Sequence, residues 1–291
     1  ITLGIPILKD KALYLRRYWQ FETEVATALH RRINFSPINV QAQLKAKETF
    51  SKLFPRSICD PRSDSTSETD WQQVAVANSL GRHLSIISGG PGTGKTYTVT
   101  RLLACMQAVH NGQLKILMAA PTGKAAQRLK ESIAKAKIDF FIAGEAKSIA
   151  KEIIDSIPEE ASTLHRLLGF RPKSIQLKHN ADKPLICDVL LIDEVSMIDL
   201  AMMARLLRAV PEQSSLILLG AANQLPSVEI GSILADISCQ KHPGFSSQAA
   251  EQIYNISGQK VKEDNTSHYS HLTLLNKSRR FGGEIAKIAK E

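Results

Sequence analysis

"SIISGGPGTGKTYTVTRLL", residues 85–103, decides the fold class. An apolar run, Leu84 to Ser88, stops at a cluster of glycines, and an amphipathic pattern resumes at about Lys95. This spacing predicts a buried strand, a tight loop and a helix. The loop fits G-x-x-x-x-G-K-[ST] as Gly89, Gly94, Lys95 and Thr96, and the extra glycines at 90 and 92 permit positive φ and close backbone approach. Successive backbone N–H groups with a helix N-terminus behind them form a nest that suits phosphate. In such a loop Lys95 reaches the β- and γ-phosphates of a nucleotide and Thr96 ligates Mg²⁺. The whole run, Gly89, Gly90, Pro91, Gly92, Thr93, Gly94, Lys95, Thr96 and Tyr97, is the expected nucleotide-binding element, with ATP and Mg²⁺ as cofactors.

Further along, apolar runs at 115–120 ("KILMAA"), 188–192 ("DVLLI") and 215–219 ("SLILL") read as buried strands separated by helical stretches. Such alternation predicts an α/β fold with a mostly parallel sheet covered on both faces, and ligands at the carboxyl ends of the strands. The run "DVLLIDEVSMID" ends its strand at Asp193-Glu194. Two adjacent carboxylates at a buried strand end are costly unless a cation or a proton transfer uses them. In a P-loop enzyme Asp193 holds Mg²⁺ and Glu194 accepts the proton of the attacking water.

Upstream, "DPRSDSTSETD" at 60–70 is polar, lacks apolar periodicity and reads as a linker behind a mainly helical amino-terminal module at 1–59. That module carries a short strand-like start and a helical stripe through Phe21, Val25 and Leu29. Its Tyr14, Arg16, Arg17, Tyr18 and Trp19 could contact DNA or a partner, although in a domain this small the aromatics are expected as core. Residues 138–162 and 241–270 are mixed and polar-rich, and read as insertions.

Composition sets bounds. The 291 residues are 43% hydrophobic and 22% charged, which are globular values, and no apolar stretch approaches a membrane span. The start, "ITLGIPILKD", lacks a signal-peptide pattern, so a soluble, cytoplasmic protein is expected, and a start at Ile hints at part of a longer chain. The four cysteines, Cys59, Cys105, Cys187 and Cys239, form no C-x-x-C pair and read as free, buried thiols. A net charge of +9 favours a polyanionic partner.

Five further segments occur in the order of superfamily 1 helicase motifs. They are "APTGKAAQRL" at 120–129, "STLHRLLGF" at 162–170, "DEVSM" at 193–197, "QLPSVEIGSIL" at 224–234 and "LLNKSRRF" at 274–281. Together they resemble the RecD subunits of exodeoxyribonuclease V, the bacterial RecBCD helicase-nuclease, and "YLRRYWQFE" at 14–22 resembles the RecD amino-terminal module.

The resemblance implies a RecA-like motor domain at 71–273 and the start of a second motor domain at 274–291. Its implied activity is ATP-driven 5′→3′ movement on single-stranded DNA beside RecB-like and RecC-like subunits, in double-strand-break repair and recombination. By the same matching Gln72, with Gln73 as the alternative, reads the adenine edge, Gln224 senses the γ-phosphate, and Arg280 reaches the transition state from the second motor domain. Pro121, Thr122, Gly123, Lys124, Thr163 and His165 fall where these helicases touch a single strand, with hydroxyls and N–H groups that suit phosphate without reading sequence. Lys124, Arg128 and Lys130 form a basic turn behind them. Two departures stand out: the family's Gly-Asp before "QLPS" is Gly220-Ala221 here, and the sequence ends ten residues after Phe281, before most of a second motor domain. A slow ATPase is therefore expected of this chain alone. No separate carboxylate cluster suggests a nuclease site.

Overall fold

The structure is a computed structural model that describes residues 7–9, 12–34, 36–54, 69–142, 151–170, 177–221, 233–239 and 241–276. Its centre is a six-stranded sheet made of β3 (Leu84–Gly89), β4 (Ile116–Ala120), β5 (Ser162–Thr163), β6 (Val189–Ile192), β7 (Ser215–Gly220) and β8 (Leu272–Leu275). The spatial order is β5-β4-β6-β7-β3-β8 and every pairing is parallel. The four strands expected from sequence are all present within a residue or two. β5 and β8 escape notice because one is two residues long and the other follows a polar stretch.

Side-chain alternation splits the core in two. Leu84, Ile86, Leu190, Ile192, Leu216 and Leu218 face one side, where α7 (Leu164–Leu168), α8 (Leu200–Ala209) and α9 (Ile233–Asp236) share their core. Ile87, Met118, Leu191, Ile217 and Leu219 face the other, under α3 (Trp71–Ser79), α4 (Lys95–Val109) and α5 (Gly123–Ile142). A strand buried on both faces has no polar side to alternate with, which is why these strands read as continuous apolar runs.

The first 59 residues do not build a core of their own among the described residues. After a short antiparallel hairpin, β1 (Ile7–Lys9) and β2 (Ala12–Tyr14), comes α1 (Arg16–Ile33), which lays Phe21, Val25 and Leu29 on the first face of the sheet, against α8. Then α2 (Val40–Leu53), capped by the Asn39 side chain, lays Ala46, Phe50 and Leu53 on the opposite face, against α4. Arg32 secures the first contact: its buried guanidinium donates to the carbonyls of Val210, Pro211, Glu212 and Ser214 at 2.8–3.1 Å. A buried cation is tolerable when its two terminal nitrogens are met by so many carbonyl dipoles, although Nε is buried without a partner.

Three expectations are corrected. The supposed insertion at 241–270 contains α10 (Ser247–Ser257), whose Ala249, Ala250, Ile253 and Ile256 complete the core beside α2 and α3. Residues 138–162 likewise bring buried Phe140, then Ile154 of α6 (Lys151–Asp155), and Ile157. Helical periodicity there is diluted by polar residues on the solvent side. The boundary expected at 273/274 falls inside β8, which pairs with β3 at the edge of the first sheet. Of the aromatics in the leading segment, Phe21 is core, whereas Tyr18 and Trp19 are half-buried and Arg17 sits 5.5 Å over the Phe21 ring.

Candidate nucleotide and DNA site

The loop between β3 and α4 turns on Gly92 and Gly94, at φ 79° and 84°, the left-handed region in which a side chain is strained. Gly94 is doubly constrained, since a Cβ there would collide with the Gln72 amide nitrogen. That amide donates to the Thr93 carbonyl at 2.9 Å, and the Thr93 hydroxyl donates to the Gly90 carbonyl at 2.9 Å. Lys95 folds over the loop, its Nζ donating to the Gly89 carbonyl at 2.6 Å and the Gly90 carbonyl at 3.3 Å. The lysine is held by weak neutral acceptors that a triphosphate outcompetes. Burial lowers its pKa, an effect opposed by Asp193 and Glu194.

Those two carboxylates sit at the end of β6, separated from the P-loop strand by β7. Burial raises the pKa of Asp193, while the hydrogen bond from Glu194 N (2.8 Å) and the charge of Lys95 pull it back. Glu194 has φ 53°, unusual for a residue with a Cβ. Such a conformation costs on the order of 1–3 kcal/mol and persists where the surroundings over-determine it. Among the described residues no three His, Cys, Asp or Glu side chains converge on one point. A divalent cation here would take the Thr96 hydroxyl and Asp193, with phosphate and water oxygens completing its shell. That donor set suits Mg²⁺, which keeps several waters and is usually bound through one or two carboxylates plus phosphate.

Gln72, the expected adenine reader, is held against the phosphate loop. It is only 4% exposed and is turned toward the loop, and its Oε1 is buried without a partner. Gln73, half-buried, accepts from Gln259 Nε2 at 3.3 Å. Tyr97 is packed with the Arg101 guanidinium 3.4 Å from its ring centroid, and Phe54 from the end of α2 meets it edge-on. Sequence reading missed Arg101 and Phe54; no local spacing announces a contact between residues 47 positions apart.

The DNA-facing candidates converge at the same end of the sheet. Ala120 pairs with Thr163 in neighbouring parallel strands, so Pro121, Thr122 and Gly123 leave β4 beside the start of α7. Thr122 and Thr163 are capping residues: their hydroxyls accept from Ala125 N and Arg166 N, both at 3.2 Å. Each hydroxyl keeps its own proton for a phosphate oxygen. Lys124, Arg128 and His165 are exposed, whereas Lys130 is engaged with Glu160 at 2.6 Å and belongs to a solvated face. Gln224 and Arg280 lie outside the described residues. Ala221, the residue after β7, is buried and lines a cavity of about 270 Å³ with Ser88, Gly89, Gly90 and Asn276, where the resemblance led us to expect an acidic residue. Cys105 and Cys187 are buried and free, and Cys239 is half-buried.

A strand–loop–helix phosphate nest one strand removed from a strand that ends in paired carboxylates, in an all-parallel sheet, defines a P-loop nucleotide-binding domain of RecA-like type. Residues 72–229 match the family described as AAA domain, and the chain belongs to that family. Within it the chain is a RecD-type segment: it is 39% identical over 289 residues to the RecBCD enzyme subunit RecD of Haemophilus influenzae, covering 96% of this chain and 42% of that protein. It is also 32% identical over 201 residues to the ATP-dependent RecD2 DNA helicase of Deinococcus radiodurans, covering 65% of this chain and 24% of that one. The chain is also similar to the crystal structure of Bacteroides Pif1 bound to ssDNA, 18% identical with a TM-score of 0.39, covering 77% of this chain and 46% of that one. The chain thus spans less than half of the length of these relatives. Among the described residues no helix is long and apolar enough to cross a membrane.

Proposed function

We propose that this chain is the nucleotide-binding motor portion of an ATP-dependent DNA helicase, acting as the RecD-type subunit of a RecBCD-type exodeoxyribonuclease V in the cytoplasm. The observation that carries the reading is the order of elements along one edge of the sheet. The phosphate loop ends β3, the carboxylates end β6, and the capping threonines Thr122 and Thr163 stand at β4 and β5. Nucleotide at one end and a DNA strand at the other would be joined by the strand that carries Asp193 and Glu194.

In this reading the loop N–H groups and Lys95 bind the phosphates, and Thr96 and Asp193 hold Mg²⁺. Mg²⁺, when bound, neutralises charge on the β- and γ-phosphates. Glu194 takes the proton of the attacking water. Gln224 senses the γ-phosphate, and Arg280 supplies a transition-state cation from a second motor domain that begins beyond β8. Gln72 is assigned to the loop itself. Movement in the 5′→3′ direction and association with RecB-like and RecC-like subunits complete the proposal. Turnover by this chain alone is expected to be slow, since an arginine finger contributes on the order of 10³–10⁵ in rate only when it is fixed in place.

The test is nucleotide binding and DNA-stimulated ATPase. Lys95→Ala removes a charge-assisted contact worth about 1.5–3 kcal/mol, so affinity for a fluorescent ADP should fall roughly ten- to a hundredfold. Unchanged binding by the folded variant overturns the nucleotide site. A full-length protein whose ATPase ignores single-stranded DNA would be a nucleotide-dependent scaffold and not a motor. The similarity to RecD2 favours one alternative, a helicase without partners; failure to co-purify with RecB-like and RecC-like subunits would select it.

A further inference from the structure

The turn that ends α7 is a Schellman motif: Gly169 sits at φ 69°, its N–H donates to Arg166 O at 3.1 Å, and Phe170 N–H donates to His165 O at 3.0 Å. This geometry brings the side chains of Phe170 and His165 together, with ring centroids 4.6 Å apart and planes tilted by 50°. A Schellman contact is normally an apolar pair that buries itself. Here one member is a histidine and both rings remain exposed, Phe170 at 37%. Closing the turn accounts for their meeting, but not for an aromatic pair held at the surface.

The surroundings are cationic. Arg205 of α8 lies 5.8 Å from the Phe170 ring, Arg166 is exposed on α7, and the Lys178 side chain lies against Gly169. No acidic side chain forms an ion pair with any of these three among the described residues. His165 also stands two residues beyond Thr163, and Phe170 seven, on the β5 side of the sheet end where Thr122 and Thr163 offer hydroxyl donors. Flat π surface surrounded by positive charge is the chemistry that takes a single nucleic-acid strand, because an unpaired base offers a face for stacking and its phosphate takes the cations.

We propose that His165 and Phe170 form a base-stacking station for one unpaired base of single-stranded DNA, with Phe170 as a binding residue of the strand. The proposal rests on the DNA-binding reading above and deepens it. Stacking on a ring is tolerant of base identity, so the station adds affinity without sequence preference.

The experiment uses the full chain, a labelled oligothymidine and a matched oligonucleotide of abasic deoxyribose-phosphate. Phe170→Leu keeps the apolar contact of the turn but removes the π face; Phe170→Trp keeps both. We expect Phe170→Leu to weaken oligothymidine binding about tenfold, with the abasic strand bound equally by parent and variant, and Phe170→Trp to restore the parent affinity. Equal affinity of parent and Phe170→Leu for oligothymidine, or an equal loss on both strands, overturns the station while leaving the DNA reading in place. A parent chain that binds neither strand at low salt overturns both.

Discussion

Replacing Gln72 by Ala separates a loop-holding role from a base-reading one. The substitution removes the donor to the Thr93 carbonyl, a 2.9 Å bond between buried groups, and leaves that carbonyl unpaired. An unsatisfied buried acceptor costs about 1–3 kcal/mol. It also removes Gln72 Oε1, itself buried without a partner, which returns part of that cost. The net effect on the loop conformation that receives phosphate is about 1 kcal/mol, or roughly fivefold in affinity. Because the loop contacts phosphates and not the base, the loss should be the same for ADP, GDP and inorganic tripolyphosphate. Competition of each against a fluorescent ADP measures it. If tripolyphosphate binds Gln72→Ala as it binds the parent while ADP weakens, the side chain reads the base after all and the loop-holding assignment fails.

Three further outcomes concern stability. His271 is buried beside Arg82 and His242, and desolvation, with those like charges, lowers its pKa from 6.5 to about 4. The unfolded chain therefore takes up the proton first on acidification; this contribution is complete above pH 6.5 and is lost as pH falls toward 4. The interval corresponds to about 3 kcal/mol, about 2 of it by pH 5, and urea titrations at pH 7.5 and 5 should show a smaller difference in His271→Asn; identical differences refute the assignment. Arg32→Ala takes a donor from four carbonyls, of which that of Pro211 keeps the Ser214 N–H at 3.1 Å, and should cost about 3 kcal/mol in urea. Trp19 in α1 and Trp71 in α3 should report one shared transition, and a separate, earlier melt at Trp19 would show that α1 is not part of the common core.

The phosphate loop and the strand ends were legible because each depends on local pattern: glycines where φ must be positive, apolar runs where strands are buried twice, carboxylates where a strand stops. What was not legible is long-range. Phe21, Val25 and Leu29 announce an amphipathic helix, yet nothing in their spacing says that the face they cover belongs to a sheet beginning at Leu84. The orientation of Gln72 is likewise set by its neighbour Thr93, 21 residues away, and not by its own position at the start of α3. His165 was singled out for DNA, but the ring beside it came into view only through the turn at Gly169.

The bonds from Arg32 reach Val210, 178 residues later in the chain. During synthesis at roughly 5–20 residues per second, α1 must therefore wait about 9–36 s between its own emergence and that of its partner. Throughout that interval the stripe of Phe21, Val25 and Leu29 has no sheet to rest on. The same long closure makes the contact order high and the final docking of α1 a late event. The α1 stripe is thus open to aggregation and to chaperone capture for that whole interval, until the sheet behind the phosphate loop is complete.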